Sequence, residues 1–146
     1  MAIATRTVTT TWDGTLEAGT GTFGDSSSGA LDGQQVTWGS RTVAPEGKTS
    51  PEELLAAAHS SCFSMALALT LGSHDAPPQR LEISSEVVFE EADGKPTITT
   101  SKITVRAKID GIDGDKFSAI VDEAAALCPV SRLFAGANIT VDAQLV

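Results

Sequence analysis

A chain of 146 residues, 41% hydrophobic and 20% charged, is one domain-sized globular sequence and not a disordered one. Nineteen acidic residues against ten basic ones leave a net charge of −9, which argues against nucleic acid and against an anionic membrane surface as partners. Two cysteines are too few for a disulfide scaffold, and 5% aromatics without tyrosine argue against a base-stacking platform.

The N-terminal residues lack a basic region followed by an apolar stretch, so no signal peptide is expected and the default compartment is the cytoplasm. No linker or internal repeat divides the sequence, which reads as a single domain over 1–146. Arg6 to Trp12 is a β-branched run and predicts a strand. Gly19–Asp25 and Gln34–Trp38 predict two more short strands between glycine turns, together an antiparallel meander with Trp12 and Trp38 in its core.

Ser50-Pro51-Glu52-Glu53 is a capping box with proline at the first helical position. Helix formers continue to Leu71, and Gly72 is the expected stop. About 21 residues at ~1.5 Å each make a helix of roughly 31 Å. Leu54, Leu55, Ala58, Cys62, Met65, Ala66 and Leu69 form an apolar stripe at helical spacing. The opposite face is alanine and serine, so the helix is expected to be buried nearly all round. The run from Leu54 to Leu71 approaches the length of a membrane span, but His59, Ser60, Ser61, Ser64 and Thr70 favour a core helix.

Leu81–Glu91 and Thr97–Asp110 read as long strands joined through the hairpin signal Asp93-Gly94. Asp115 to Leu127 reads as an amphipathic helix with Phe117, Ile120, Val121 and Ala124 inward. It ends at Cys128, because a residue before proline disfavours helical geometry. Pro129 to Phe134 predicts a short helix and Asn138–Leu145 a closing strand, so the fold class is α+β.

Cys62 on the long helix could be a small core residue, since free cysteine is among the most buried types. Cys128 stands at a helix break before Pro129, where backbone N–H groups can stabilise a thiolate. Two cysteines in such settings fit an attacking and a resolving thiol. His59 and Cys62, three apart, share a helix face and could ligate a metal, completed by Cys128 and His74 or Glu52, although no second close pair of ligands accompanies them. A thiolate in mid-helix needs a nearby cation. Arg41, in the glycine-containing segment before the long helix, is the candidate, with a fork that can hold a carboxylate at the same time. Glu52 by itself reads as a first-turn acid that complements the helix dipole.

Pro51-Glu52, then Cys62-Phe63 ten residues after the glutamate, then Cys128-Pro129, resembles the pattern of the OsmC/Ohr family, the osmotically inducible proteins and organic hydroperoxide reductases of bacteria. Cys62-Phe-Ser-Met-Ala-Leu and Cys128-Pro-Val-Ser look more like the OsmC branch, and Ser50 replaces the asparagine common before the proline. The resemblance implies curved antiparallel sheets around a long buried central helix, in an interwoven homodimer without metal, haem or flavin. It implies a thiol peroxidase in which Cys62 is peroxidatic and Cys128 resolving, Arg41 activates Cys62, and Glu52 holds Arg41. The expected substrate is an organic hydroperoxide and the expected reductant an external dithiol, for which lipoylated proteins serve in relatives. The competing readings are a non-catalytic stress-related dimer and the His/Cys metal site.

Helix arithmetic adds a constraint. Glu52 and Cys62 lie on one helix, ten residues or roughly 15 Å apart, too far for a glutamate to serve both an arginine and that thiol. A site uniting them is therefore expected to be shared between two chains, with Arg41 and Glu52 from one and Cys62 and Cys128 from the other.

Overall fold

A computed structural model describes residues 1–136 and 138–145. The chain forms two compact units, Met1–Leu54 and Leu55–Val146. The first holds β1 (Thr9–Asp13), β2 (Thr20–Gly24) and β3 (Gln35–Val36), an antiparallel sheet in that order, and α1 (Trp38–Thr42). The meander is as expected, but its tryptophans are not core. Trp12 is 40% exposed and Trp38 half-buried. Trp12 instead lies across Gly21, its partner in the register; a Cβ there would come 3.0 Å from Trp12 Cε3. The expected third strand stops at Val36, because Thr37 and Ser40 cap a helical turn reciprocally, each hydroxyl 2.9 Å from the other's backbone N–H.

The second unit is built on α2 (Pro51–Ser73), which starts in the first. The Ser50 hydroxyl accepts from Glu53 N–H at 3.1 Å, one half of the expected box. The Glu53 carboxylate turns instead to the Thr49 hydroxyl at 2.7 Å. Gly72 does not stop the helix, which runs on to Ser73. The buried face is His59, Phe63, Leu67, Thr70 and Leu71, so the predicted stripe was one step out around the helix. Met65 and Leu69, placed in that stripe, are 68% and 71% exposed within the chain, and only one face of the helix is buried. By length and composition alone α2 could cross a membrane, but its buried residues pack into the core described next.

That core rests on a second sheet, β4 (Arg80–Ala92), β5 (Lys95–Lys108) and β6 (Asn138–Leu145). Asp93 and Gly94 turn the β4–β5 hairpin with φ of 53° and 73°, the two positive values a two-residue primed turn requires. The strands pair antiparallel, but β6 pairs parallel to β5, which corrects the expectation of purely antiparallel sheets. The helices α3 (Gly114–Leu127) and α4 (Pro129–Leu133) lie between β5 and β6 in sequence and supply the crossover that a parallel pair needs. On β5 every second residue, Ser101, Ile103, Val105 and Ala107, is fully buried. Against them pack Phe63, Leu67 and Leu71 of α2 and Phe117, Ile120, Val121 and Ala124 of α3, the last four as the helical period predicted.

Candidate active site

Arg41 occupies the last turn of α1. Ser40 ties that turn to the start of α2, its hydroxyl donating to Thr49 O at 3.0 Å, and Thr49 N–H donates to Gln35 O at 2.9 Å. These short contacts bring Arg41 to Glu52 in the first turn of α2. The guanidinium holds the carboxylate in a fork: Nε lies 3.1 Å from Oε1 and 3.2 Å from Oε2, and Nη2 lies 2.7 Å from Oε1. Both side chains are largely shielded from solvent. A cavity of about 130 Å³ adjoins the arginine, walled by Trp12, Leu16, Val36, Trp38 and Pro51. Arg41 and Glu52 are thus paired within one chain.

Cys62 and Cys128 form the other pair, both as free thiols. Cys128 is fully buried at the junction of two helices: it closes α3 through its N–H to Ala124 O and caps α4 through its Sγ, which accepts from Ser131 N–H at 3.5 Å. Pro129 holds it extended, at φ −63° and ψ 116°, which ends α3 where the sequence implied. Cys62 is half-buried on α2. Burial pushes its thiol above the ordinary range, a backbone hydrogen bond from Val130 pulls it down, and the hydrogen-bonded Cys128 thiol pushes it up again. The two sulfurs are therefore neighbours, and the first turn of α4 contacts both. Beside Cys62 opens an apolar cavity of about 340 Å³ lined by Met65, Ala66, Leu69, Leu127 and Pro129.

His59, weighed as a metal ligand, points away from such use. Nδ1 lies 2.5 Å from Ser101 Oγ and Nε2 2.8 Å from Ser131 Oγ, so both ring nitrogens are occupied by hydroxyls. His74 pairs with Glu123 at 2.8 Å. Among the described residues no cluster of three or more His, Cys, Asp and Glu side chains could hold a metal ion. Ser101 and Ser131 are contributors that sequence reading missed, since a lone serine on a strand or short helix carries no signal until the fold sets it against an imidazole.

The α+β fold with one long helix carrying a thiol, and a second thiol at a helix junction, is that of OsmC-like proteins. The family model described as OsmC-like protein matches residues 44–144, and the chain belongs to this family. It is 37% identical over 134 residues to Peroxiredoxin OsmC of Escherichia coli (strain K12), covering 92% of each chain. To the organic hydroperoxide resistance protein OhrA of Bacillus subtilis (strain 168) it is 30% identical over 106 residues, covering 68% of this chain and 69% of the other. In sequence, the match to Peroxiredoxin OsmC thus covers more of the chain than the match to OhrA. The crystal structure of OhrB of Bacillus subtilis superposes with a TM-score of 0.72 at 27% identity, covering 99% of this chain and 100% of that one.

Proposed function

We propose that this chain, a cysteine-based peroxidase by its family, reduces organic hydroperoxides to alcohols through Cys62 and Cys128. The observation that carries the reading is the pair of neighbouring free thiols, one lining an apolar cavity and one buried behind it. The relatives named for peroxiredoxin activity and organic hydroperoxide resistance support the same chemistry. The Cys62 thiolate attacks the outer oxygen of R–O–O–H, the O–O bond breaks, and R–O⁻ leaves to take up a proton as the alcohol. Cys62 is left as a sulfenic acid. The Cys128 sulfur attacks it, a disulfide forms, and the hydroxyl leaves as water with the Cys128 proton. An external dithiol then returns both cysteines to thiols by exchange, and a lipoylated protein is the proposed donor.

Burial alone opposes the thiolate that this chemistry needs. A guanidinium brought to Cys62 reverses that balance, and Arg41 is the proposed cation, fixed by Glu52. The roughly 15 Å between Glu52 and Cys62 along α2 supports a homodimer in which each site draws Arg41 and Glu52 from one chain and both cysteines from the other. The exposed Met65 and Leu69 on α2, with exposed Leu127 lining the same cavity, support such an interface. No cofactor is needed, and the cytoplasm, where the exchange step finds reducing partners, is the proposed compartment.

A coupled assay comparing cumene hydroperoxide with hydrogen peroxide, with dihydrolipoamide as reductant, tests the reading. Turnover of the organic substrate in preference to hydrogen peroxide is expected. Absence of turnover with either oxidant, in protein whose two thiols titrate as reduced, overturns it.

A further inference from the structure

Three polar side chains buried in the second unit, His59, Ser101 and Ser131, form one connected chain, and the backbone N–H of Ser131 carries it on to Cys128. From the sheet, Ser85 Oγ lies 3.2 Å from Ser101 Oγ, and Ser101 Oγ lies 2.5 Å from His59 Nδ1. On its other edge His59 Nε2 lies 2.8 Å from Ser131 Oγ, in the first turn of α4. The His59 ring also stacks on Phe134, the residue that caps the other end of α4, with centroids 5.1 Å apart and planes inclined by 26°. A single residue of α2 thus grips α4 at both ends. His59 and Ser101 are fully buried and Ser131 nearly so, and burial lowers the imidazole's affinity for a proton.

That helical turn is the one whose backbone serves both thiols. Val130 hydrogen-bonds Cys62, and Ser131 N–H donates to Cys128 Sγ. His59 itself precedes Cys62 by three residues on α2. A five-residue helix has little stability of its own, so its orientation depends on what fastens it.

We propose that His59, acting through Ser131, is a positioning residue that holds the Cys128–Ser131 turn in register with Cys62 and so sets the rate and yield of the Cys62–Cys128 disulfide. It does not touch the peroxide, and it bears on the attack of Cys62 only through the Val130 hydrogen bond in the same turn. In the condensation, which rests on the peroxidase reading above, the S–S bond forms as the S–O bond of the Cys62 sulfenic acid breaks. The Cys128 sulfur is oxidised, the Cys62 sulfur reduced, and hydroxyl and thiol proton leave as water. A misaligned turn leaves the sulfenic acid waiting, exposed to a second peroxide that carries it to sulfinic acid.

Three variants separate positioning from mere packing. Ser131→Ala removes one hydroxyl and keeps the His59–Phe134 stack. His59→Asn places an amide where Nδ1 was and forfeits Ser131. His59→Gln places one where Nε2 was and keeps Ser131. Two readouts apply: stopped-flow separation of sulfenic acid formation from disulfide formation with cumene hydroperoxide, and the equilibrium of the disulfide in a buffer of oxidised and reduced dithiothreitol. In the second, the protein dithiol is oxidised as cyclic dithiothreitol is reduced, with no peroxide involved. Ser131→Ala and His59→Asn are expected to lower the disulfide rate and the equilibrium constant about tenfold, the weight of one buried hydrogen bond. The sulfenic acid rate should fall less than the disulfide rate, and His59→Gln should lie near the wild type. Equal loss in all three variants, no loss in any, or an equal fall in the sulfenic acid rate overturns the proposal. If the wild type forms no disulfide with peroxide, the peroxidase reading fails, and the dithiothreitol equilibrium alone decides whether His59 positions the pair. Ser131→Ala, the mildest change, keeps the question open to refutation should the histidine variants misfold.

Discussion

Arg41 and Glu52 meet as a fork and a carboxylate, three N–O contacts between 2.7 and 3.2 Å, with the glutamate in the first turn of the helix that carries Cys62 ten residues later. Such a grip consumes part of the guanidinium and fixes the direction of the rest. Glu52 is also where the dipole of α2 favours an acid, so its position satisfies two demands at once.

The first prediction concerns this pair. Arg41→Lys keeps the charge but loses the planar fork, so it should behave nearly as badly as Arg41→Ala. Both should lower kcat/KM for cumene hydroperoxide on the order of a hundredfold. The Cys62 thiol, already raised by burial, should then titrate higher still than in the wild type. Iodoacetamide alkylation of Cys62 against pH measures it. A midpoint that does not move upward in Arg41→Ala would exclude Arg41 as the activating cation.

The second prediction assigns the cysteines. One equivalent of organic hydroperoxide should convert the reduced protein to an intrachain Cys62–Cys128 disulfide, seen by non-reducing peptide mapping. Cys62→Ser should abolish turnover. Cys128→Ser should complete one reduction and then accumulate sulfinic acid on Cys62, visible as a gain of two oxygens by mass spectrometry. Identical behaviour of the two variants would contradict the roles.

Much of the fold was legible beforehand, for identifiable reasons. The α3 face was readable because Phe117, Ile120, Val121 and Ala124 stand against charged neighbours, so the helical period is visible. The face of α2 was not, because its residues are apolar, alanine or serine on every side; choosing Cys62 and Met65 over Phe63 and Leu67 as inward was a matter of about one position. The turn at Asp93-Gly94 and the break at Cys128-Pro129 were readable because each rests on a local steric rule. The parallel pairing of β6 was not, since no local rule states which neighbour a last strand takes. The same distinction governs the site. Motif residues announced themselves, whereas the link from His59 to Ser101 and Ser131 spans 42 and 72 positions and exists only in the folded chain.

The third prediction is a pH dependence of stability. His59 is buried between two hydroxyls and its pKa is lowered, so the folded protein holds it neutral where the unfolded chain would protonate it. The unfolded state then binds more protons as the pH falls through the ordinary histidine range, about 6.5, and stability declines there. Above that range His59 has no such effect. Urea midpoints at pH 7.5 and 5.5 should fall further for the wild type than for His59→Gln, which has no proton to gain. Equal pH sensitivity of the two proteins would place the titrating group elsewhere.

The fourth prediction contrasts two residues of α2. Phe63 is fully buried in the core of the second unit, so Phe63→Ala should cost about 3–5 kcal/mol in denaturant unfolding. Leu69 is 71% exposed within the chain, and in a monomer Leu69→Arg would cost within about 0.5 kcal/mol. If this face is the dimer interface, Leu69→Arg should split the dimer in sedimentation experiments and reduce peroxidase activity with it. A dimer that survives Leu69→Arg would move the interface to another surface.

The last prediction tests the shared site directly. The two pairs, Arg41 with Glu52 and Cys62 with Cys128, are each closed within one chain, and helix arithmetic separates Glu52 from Cys62 by roughly 15 Å along α2. On the proposed reading, a glutamate-held arginine serves the thiol of a second chain. An antiparallel pairing of two α2 helices about a two-fold axis brings Glu52 of each toward Cys62 of the other and generates two equivalent sites. Glu52→Ala and Cys62→Ser chains are each expected to be inactive or nearly so as homodimers. In a heterodimer of the two, one site loses both residues and the other keeps both. Mixing them should restore about half the wild-type activity per heterodimer, because the sites act independently. Subunit exchange is verified by mass spectrometry of differently tagged chains. No recovery in verified heterodimers, or full activity in a monomer, would place all four residues in a site of one chain.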